Sequence, residues 1–280
     1  MDINNTWEFW RDKVVLITGS AGSLGRIITK KLLQLPVHSV RGYDINEHQL
    51  FILQEEVKDK KFRACVGDVR DYTRLKDAFD GVNICIHTSA YKNLMLTEEN
   101  PSEVLSVNIN GTQNVLRCAK YAKTKQVVNI STDKVCSPES IYGLSKAVAE
   151  RLILQASATN RTTDYYNVRL PNLRPSAGSV FELWDKQKAE GKLIELTHEG
   201  MKRYFLDIEL AAEFVINSLL FAETGTTIIP KCKEYSMLEL AKQYGEVKVI
   251  GIRAHEKMSE SLWDQSEEKH IVDKGEYWVI

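Results

Sequence analysis

The stretch VVLITGSAGSLG, Val14 to Gly25, decides how the rest of the chain is read. Val14 to Thr18 is a short apolar run of the kind that forms a buried strand. Gly19, Gly22 and Gly25 follow at three-residue spacing, and Leu24, Ile27, Ile28, Lys31, Leu32 and Leu35 then recur at the spacing of one helical face. A strand, a glycine turn and a helix make a site where backbone N–H groups and a helix N-terminus hold a pyrophosphate. Glycine lets the backbone approach the phosphates with no Cβ in the way. The glycine spacing alone is common, but here a second β-rich run, VHSVRGYD, ends in Asp44, 19 residues after Gly25. That is the offset of the carboxylate that bonds an adenosine ribose. A tight turn without a ligand would leave Asp44 unexplained. The expected ligand is therefore a dinucleotide held by Gly19, Gly22, Ser23, Leu24, Gly25 and Asp44. A carboxylate at this place repels a 2′-phosphate, so NAD is expected, with NADP as the second reading because Arg41 is nearby.

Beyond Asp44 the apolar runs alternate. NEHQLFILQEEVKDK reads as a helix and FRACV as a strand, followed by Gly67, Asp68 and Val69. Asp68, at a strand's carboxyl end, is placed to bond an adenine amine beside Val69, or else to cap the helix that starts near Tyr72. VNICIHT is a fourth strand ending near Ser89 and Ala90, on the expected nicotinamide side. Asn100-Pro101-Ser102-Glu103 opens a helix running to about residue 122, with an N-cap, a proline at the first helical position and an acid in the first turn. QVVNIS, SIYGLSKAVAERLILQA and DYYNVRL add a strand, a helix and a strand. This alternation predicts an α/β, Rossmann-type doubly wound parallel sheet over residues 1–170. Past Leu170 proline and glycine break the pattern, and helix candidates at 180–190, 208–222 and 236–244 alternate with short strands such as KVIGI. Residues 171–280 are read as a smaller substrate-binding lobe over the strands' carboxyl ends, some of whose segments return to the first domain.

Composition narrows the function. With 280 residues, 37 Lys+Arg and 38 Asp+Glu, the chain can bury a large core and has almost no net charge. No basic block interleaves with aromatics, so no nucleic-acid partner is expected. No apolar run approaches a membrane span, and MDINNTWEFWRDK is no signal peptide. Cys65, Cys85, Cys118, Cys136 and Cys232 include no Cys-x-x-Cys and read as buried free thiols of a cytoplasmic protein. The scattered histidines predict no metal. Trp7, Phe9 and Trp10 are expected to pack on the sheet edge.

Two constellations carry chemistry. Tyr142 and Lys146 lie four apart on one predicted helix and so project from one face. A nearby ammonium and a positive cofactor ring would favour the phenolate, a general base for an alcohol, and Lys146 could also bond the nicotinamide ribose. Ser131-Thr132-Asp133-Lys134 ends the fifth strand. An acid next to an amine at that place supplies what an elimination needs: a base for a C–H proton and an acid for a leaving hydroxyl. A solvated loop ion pair is the alternative.

The motifs ITGSAGSLG, GDVRD, SAYKNLMLTEENP, NINGTQNV, STDK, YGLSK, NVRLPN, AGSV, MKRYFLDIE and GIRAHEK run along almost the whole chain. Together they resemble the extended short-chain dehydrogenase/reductases, and within them the polysaccharide-biosynthesis branch that includes UDP-N-acetylglucosamine 4,6-dehydratases. STDK with YGLSK is the specific part, since simple 4-epimerases share Tyr-x-x-x-Lys and usually lack the Asp-Lys pair. The resemblance implies that Tyr142 takes the proton of the sugar 4-hydroxyl and that Lys134 removes the proton at carbon 5. Asp133 would protonate the departing 6-hydroxyl, giving a 4-keto-6-deoxy sugar with or without inversion at carbon 5. It also implies a UDP-sugar site with Lys92 and Thr132 near the reaction, and Asn172, Ser179, Arg203 and Arg253 holding the nucleotide diphosphate. Arginine suits this through bidentate contacts. Helices 101–122 and 141–157 correspond to those that pair between subunits, so a homo-oligomer is expected. The chain departs from the family's pattern at Pro171, Ala177, His255 and Ser259, which leaves the identity of the sugar nucleotide open. The alternatives are a nucleotide-sugar 4-epimerase and a non-catalytic NAD-binding regulatory protein.

Overall fold

The computed structural model describes residues 3–176, 178–254 and 256–280, with side chains from Trp7 onward. The first half alternates as its periodicity demands: α1 (Ile3–Trp10), β1 (Val14–Thr18), α2 (Ser23–Leu33), β2 (Ser39–Asp44), α3 (Glu47–Val57), β3 (Phe62–Val66), α4 (Tyr72–Ala78) and β4 (Ile84–His87). Next come α5 (Leu94–Glu99), α6 (Pro101–Leu105), a π turn (Ser106–Gly111), α7 (Thr112–Ala122), β5 (Gln126–Thr132), a 3₁₀ turn (Asp133–Val135), α8 (Ile141–Thr159) and β6 (Asp164–Leu170). The remainder is β7 (Asn172–Arg174), α9 (Val180–Ala189), β8 (Ile194–Leu196), β9 (Lys202–Asp207), α10 (Ile208–Phe221), β10 (Thr227–Pro230), β11 (Lys233–Ser236), α11 (Met237–Lys242), β12 (Val247–Val249), β13 (Val272–Asp273) and β14 (Tyr277–Val279).

The main sheet has nine strands in the order β13-β14-β10-β6-β5-β4-β1-β2-β3. From β3 to β10 all pairings are parallel, and β14 and β13 add antiparallel edge strands. Both faces are covered, so the strands can be apolar throughout. In β1, Val15 and Ile17 join one core with Ile28 and Leu32 of α2 and Val215 of α10, while Leu16 joins the other with Leu75, Val115, Cys118 and Ile153. The order reverses at β1, which pairs with β2 on one side and β4 on the other. This is the switch point at which open α/β sheets bind ligands, outside the strands' carboxyl ends. A separate apolar cluster of Phe181, Trp184, Ile194, Leu196, Met201, Met237, Leu240 and Ala241 holds together the small sheets β11-β9-β7 and β12-β8.

Side chains set most helix starts. Asn46, Asp71, Ser140, Asp207 and Ser236 each accept an N–H of the first turn. The cap of α4 is thus Asp71, and Asp68 is released for another role. Two expectations need revision. The helix expected over 101–122 is interrupted by the π turn, where the Asn108 side chain bonds both the N–H and C=O of Tyr91 and the Ser145 hydroxyl. Asn100 does not cap α6 through its side chain, because its amide donates back to Leu96 C=O of α5. The N-terminal aromatic segment forms a helix, with Trp10 fully buried in the core and Trp7 exposed at 48%. Cys65, Cys85, Cys118 and Cys136 are buried free thiols, and Cys232 is half-buried.

Candidate active site

A cleft of about 700 Å³ runs along the carboxyl ends of β1 to β6 and under the small lobe. Its first wall is the glycine turn. Gly19 has φ +72°, which L side chains rarely adopt, and a Cβ there would lie 2.7 Å from the Ser89 nitrogen. Gly22 is the N-cap of α2 and places no side chain over the helix N-terminus, which therefore keeps its positive end for an anion. Ser23, Leu24 and Gly25 complete this wall. Asp44 closes it: its carboxylate accepts Ala21 N–H at 3.0 Å and Asn46 N–H at 2.9 Å, tying the turn to the end of β2. Arg41 does not reach the cleft, since its guanidinium donates to the carbonyls of Ala78 and Asp80. The basic neighbour that kept NADP open is thus turned away.

Asp68, Val69, Ser89 and Ala90 all line the cleft. Asp68 is engaged by Arg70, with Oδ1 accepting its N–H and Oδ2 its Nε, both at 2.8 Å. Burial pushes the Asp68 carboxyl up, but the Arg70 bonds and charge outweigh it and hold it below the usual range. Arg70 is in turn fixed by Glu103 at 2.6 Å. The glycine turn, the helix start with no side-chain cap and the Asp44 carboxylate fit the pyrophosphate and ribose of a dinucleotide.

The reactive end is built by β5, the turn after it and the first turns of α8. Ser140 caps α8, and Gly143 packs against the Lys134 carbonyl, where a Cβ could not fit. This close approach sets Tyr142 beside Lys134. Tyr142, Lys146, Thr132 and Lys134 line the cleft, whereas Asp133 lies just behind its surface with no exposure. Thr132 donates to Asp133 Oδ1 at 3.0 Å and is hydrogen-bonded to Tyr142. Lys134 Nζ donates to Asp133 Oδ1 at 3.1 Å and to Asn172 Oδ1 at 3.0 Å. Burial works against the Lys134 charge, but Asp133, Glu260 and Tyr142 outweigh it and raise its pKa above the ordinary value.

Burial pushes the Tyr142 phenol up, opposed by the Lys134 charge and the Thr132 hydroxyl. The cation that favours its phenolate in the protein itself is therefore Lys134, where the helical spacing had suggested Lys146. Lys146 is buried, which lowers its pKa to about 8 against the opposing charge of Glu150. Behind it, buried Arg169 binds both oxygens of Glu150 and both of Glu267, joining α8 to the C-terminal segment.

The expected substrate residues Lys92, Asn172, Ser179, Arg203 and Arg253 all line the cleft. Burial lowers the Lys92 pKa, opposed by the charge of Glu182. Two take other partners than expected. Asn172 bonds Lys134 and Tyr204 C=O, so it supports the Asp-Lys pair. Arg203 spends three hydrogen bonds on the carbonyls of Lys202, Met258 and Lys257, which pin the 257–260 segment to β9, so a fully bidentate grip on phosphate is not preformed. Ala177 and His255, two departures noted in the sequence, lie outside the described residues. Glu260 was not foreseen. Its side chain is 5% exposed and lies 3.8 Å from both Lys134 and Arg203 and 3.9 Å from Lys257. Two of its three partners, Lys134 and Arg203, come from distant segments, so local spacing did not mark it. Among the described residues no group of His, Cys, Asp and Glu is arranged to hold a metal.

Sheet order and glycine turn give the Rossmann-type fold seen in solved nucleotide-sugar dehydratases and epimerases. The chain belongs to the polysaccharide biosynthesis protein family, whose description matches residues 15–280. It is 33% identical over 276 residues to an inverting UDP-N-acetylglucosamine 4,6-dehydratase of Campylobacter jejuni, covering 96% of this chain and 82% of that one. It is 35% identical over 295 residues to the uncharacterized membrane protein MJ1061 of Methanocaldococcus jannaschii (100% and 88% covered), and 30% identical over 282 residues to a UDP-glucose 4-epimerase of Rickettsia bellii (96% and 83%). The crystal structure of Pen from Bacillus thuringiensis superposes with TM-score 0.94 at 33% identity, covering 97% of this chain and 90% of that one. The dTDP-glucose 4,6-dehydratase DesIV of Streptomyces venezuelae, solved with NAD and TYD, shares the fold with TM-score 0.80 at 23% identity (91% and 90%). No helix among the described residues is long and apolar enough to cross a membrane.

Proposed function

We propose that the protein is an NAD-dependent nucleotide-sugar 4,6-dehydratase acting on UDP-N-acetylglucosamine or a close analogue. The carrying observation is the Asp133–Lys134 pair, 3.1 Å apart, beside Tyr142 at the end of β5. The glycine wall and Asp44 would hold NAD, which supplies a hydride acceptor for carbon 4 and a hydride donor for carbon 6, so that there is no net redox.

Tyr142 takes the 4-hydroxyl proton, and the resulting 4-ketone acidifies the C5–H bond. In the resting pair Lys134 is an ammonium and Asp133 a carboxylate. Moving one proton along their hydrogen bond gives a neutral amine and a carboxylic acid, a form that burial favours. The amine then takes the C5 proton while the acid protonates the 6-hydroxyl. The C5–H and C6–O bonds break, a C5=C6 bond forms, water leaves, and the ion pair is restored. Lys134 returns a proton to carbon 5 as carbon 6 receives hydride, and the Tyr142 proton replaces the one Asp133 gave. Asn172, bonded to Lys134 through Oδ1, keeps the amine aimed. Return by Lys134 to the face it deprotonated retains carbon 5, and delivery from the opposite face by a different donor would invert it.

A 4-epimerase is the second reading, supported by the Rickettsia relative. In that reaction Asp133 and Lys134 have no proton to move. Proton NMR of UDP-N-acetylglucosamine with enzyme and NAD in heavy water separates the two. Dehydration gives a new 6-methyl signal with deuterium at carbon 5, whereas a 4-epimer alone overturns the proposal. The exposed apolar side chains Met95, Leu96 and Leu105 of α5 and α6, with Leu144 and Val148 of α8, support a homo-oligomer, which sedimentation velocity would test. The cytoplasm, which holds both UDP-sugars and NAD, is the compartment this reaction fits.

A further inference from the structure

Glu260 has a buried carboxyl that the steps above do not use. Its Oε2 has no hydrogen-bond partner among the described residues, although the side chain is 5% exposed. Three cations surround it without touching it: Lys134 and Arg203 at 3.8 Å on Oε1, and Lys257 at 3.9 Å on Oε2. Arg203 and Lys257 are themselves fixed, the first on backbone carbonyls and the second on Cys136 C=O. Glu260 therefore sits between Lys134, beside Asp133, and the two fixed cations Arg203 and Lys257.

We propose that Glu260 is a positioning residue: it serves as the internal anion of the diphosphate end, holds the proton on Lys134 in the resting enzyme, and competes with an incoming nucleoside diphosphate for Arg203 and Lys257. This rests on the role assigned to Lys134 above. The groups facing Lys134 are Asp133 from its own turn, Tyr142 from α8, Asn172 from β7 and Glu260 from the C-terminal segment. Cys232 faces Asp133 from the loop after β10. Of these, Glu260 is the carboxyl shared with the outer cations. Removing its charge leaves Lys134, Arg203 and Lys257 closer to one another's repulsion. The Lys134 ammonium then gives up its proton more readily, and the cleft attracts an anion more strongly.

The test compares wild type, Glu260→Gln and Glu260→Asp as full chains with NAD added. Acetylation of Lys134 by acetic anhydride, followed against pH by mass spectrometry of its peptide, gives the midpoint of its titration without turnover. UDP binding is measured by calorimetry. Glu260→Gln is expected to lower the Lys134 midpoint by about one pH unit and to tighten UDP binding by about tenfold. Glu260→Asp is expected to lie between, and its partial shift decides the matter if the Gln variant does not fold. An unmoved midpoint, or weaker UDP binding in the Gln variant, overturns the proposal. A wild-type enzyme that fails to dehydrate the sugar would sink the dehydratase reading, while the Lys134 titration would still decide the role of Glu260.

Discussion

The two ends of the cleft are built differently. At the dinucleotide end the work falls to backbone: a glycine at φ +72°, an N-terminus of α2 with no side chain over it, and one carboxylate bonded to two N–H groups of the adjoining turns. At the sugar end it falls to side chains that converge from β5, α8, β7, β9 and the 253–260 segment. A backbone site is written in a short stretch of sequence, whereas a side-chain site exists only once the chain has folded. The two ends should therefore fail differently when altered.

The largest effects belong to the sugar end. If the proposed mechanism holds, Tyr142→Phe removes the group that takes the 4-hydroxyl proton, and dehydration falls about 10³-fold or more. Lys134→Ala should abolish the 6-methyl product to a similar degree, because Asp133 then keeps no partner from which to take a proton. NMR in heavy water reads both. Substantial conversion by Lys134→Ala to a 4-epimer would move the Asp-Lys pair out of the mechanism and the chain into the epimerases.

The next effect lies behind α8, outside the cleft lining. Arg169 is 2% exposed and holds Glu150 on α8 and Glu267 in the C-terminal segment, with a further bond to Leu262 C=O. Arg169→Met leaves two carboxylates without their cation, at a cost of about 3–5 kcal/mol. The melting temperature should drop by roughly ten degrees at this chain length. A drop of a degree or two would mean that the segment is held by its packing and strand pairing alone.

Lys146 supplies a pH signature. Burial lowers its folded pKa to about 8 from the ordinary 10.5, with Glu150 opposing. Between those values the unfolded chain binds more protons than the folded one, so this group's contribution makes stability rise with pH from about 8 towards 10.5. The penalty it carries at neutral pH is on the order of 3 kcal/mol. Urea midpoints of wild type and Lys146→Met should therefore converge as pH rises through this window. Parallel profiles would show that Lys146 keeps its ordinary pKa.

The sequence made the sheet legible because β1, β4, β5 and β6 are buried on both faces and read as apolar runs between helical ones. Asp44, Tyr142 and Lys146 were legible because their spacing is local. The π turn at Ser106–Gly111 was not, since it answers to Asn108 reaching Tyr91 and Ser145 across the fold. Arg203 and Asn172 were recognised as residues of the site, but their partners were not, because carbonyls and a neighbouring ammonium took donors and acceptors that a motif assigns to substrate. Glu260 carried no signal, as an isolated glutamate takes its meaning from the cations it meets.

The smallest effect tests the backbone end. Asp44 has two oxygens, and each already accepts an N–H, from Ala21 and from Asn46. Each oxygen has a second lone-pair direction left for a ribose hydroxyl. Asp44→Asn replaces one acceptor oxygen by an NH₂ donor, so one of the two turns loses its anchor and the ribose loses part of its acceptor set. We expect NAD binding to weaken by about tenfold, or about 1.4 kcal/mol, with the fold intact. Loss of the carboxylate charge should weaken NADP less than NAD, because a 2′-phosphate is no longer repelled. Calorimetry with both cofactors reads the difference. If both weaken equally, Asp44 acts by holding the glycine turn, and discrimination between the cofactors must come from elsewhere on the wall.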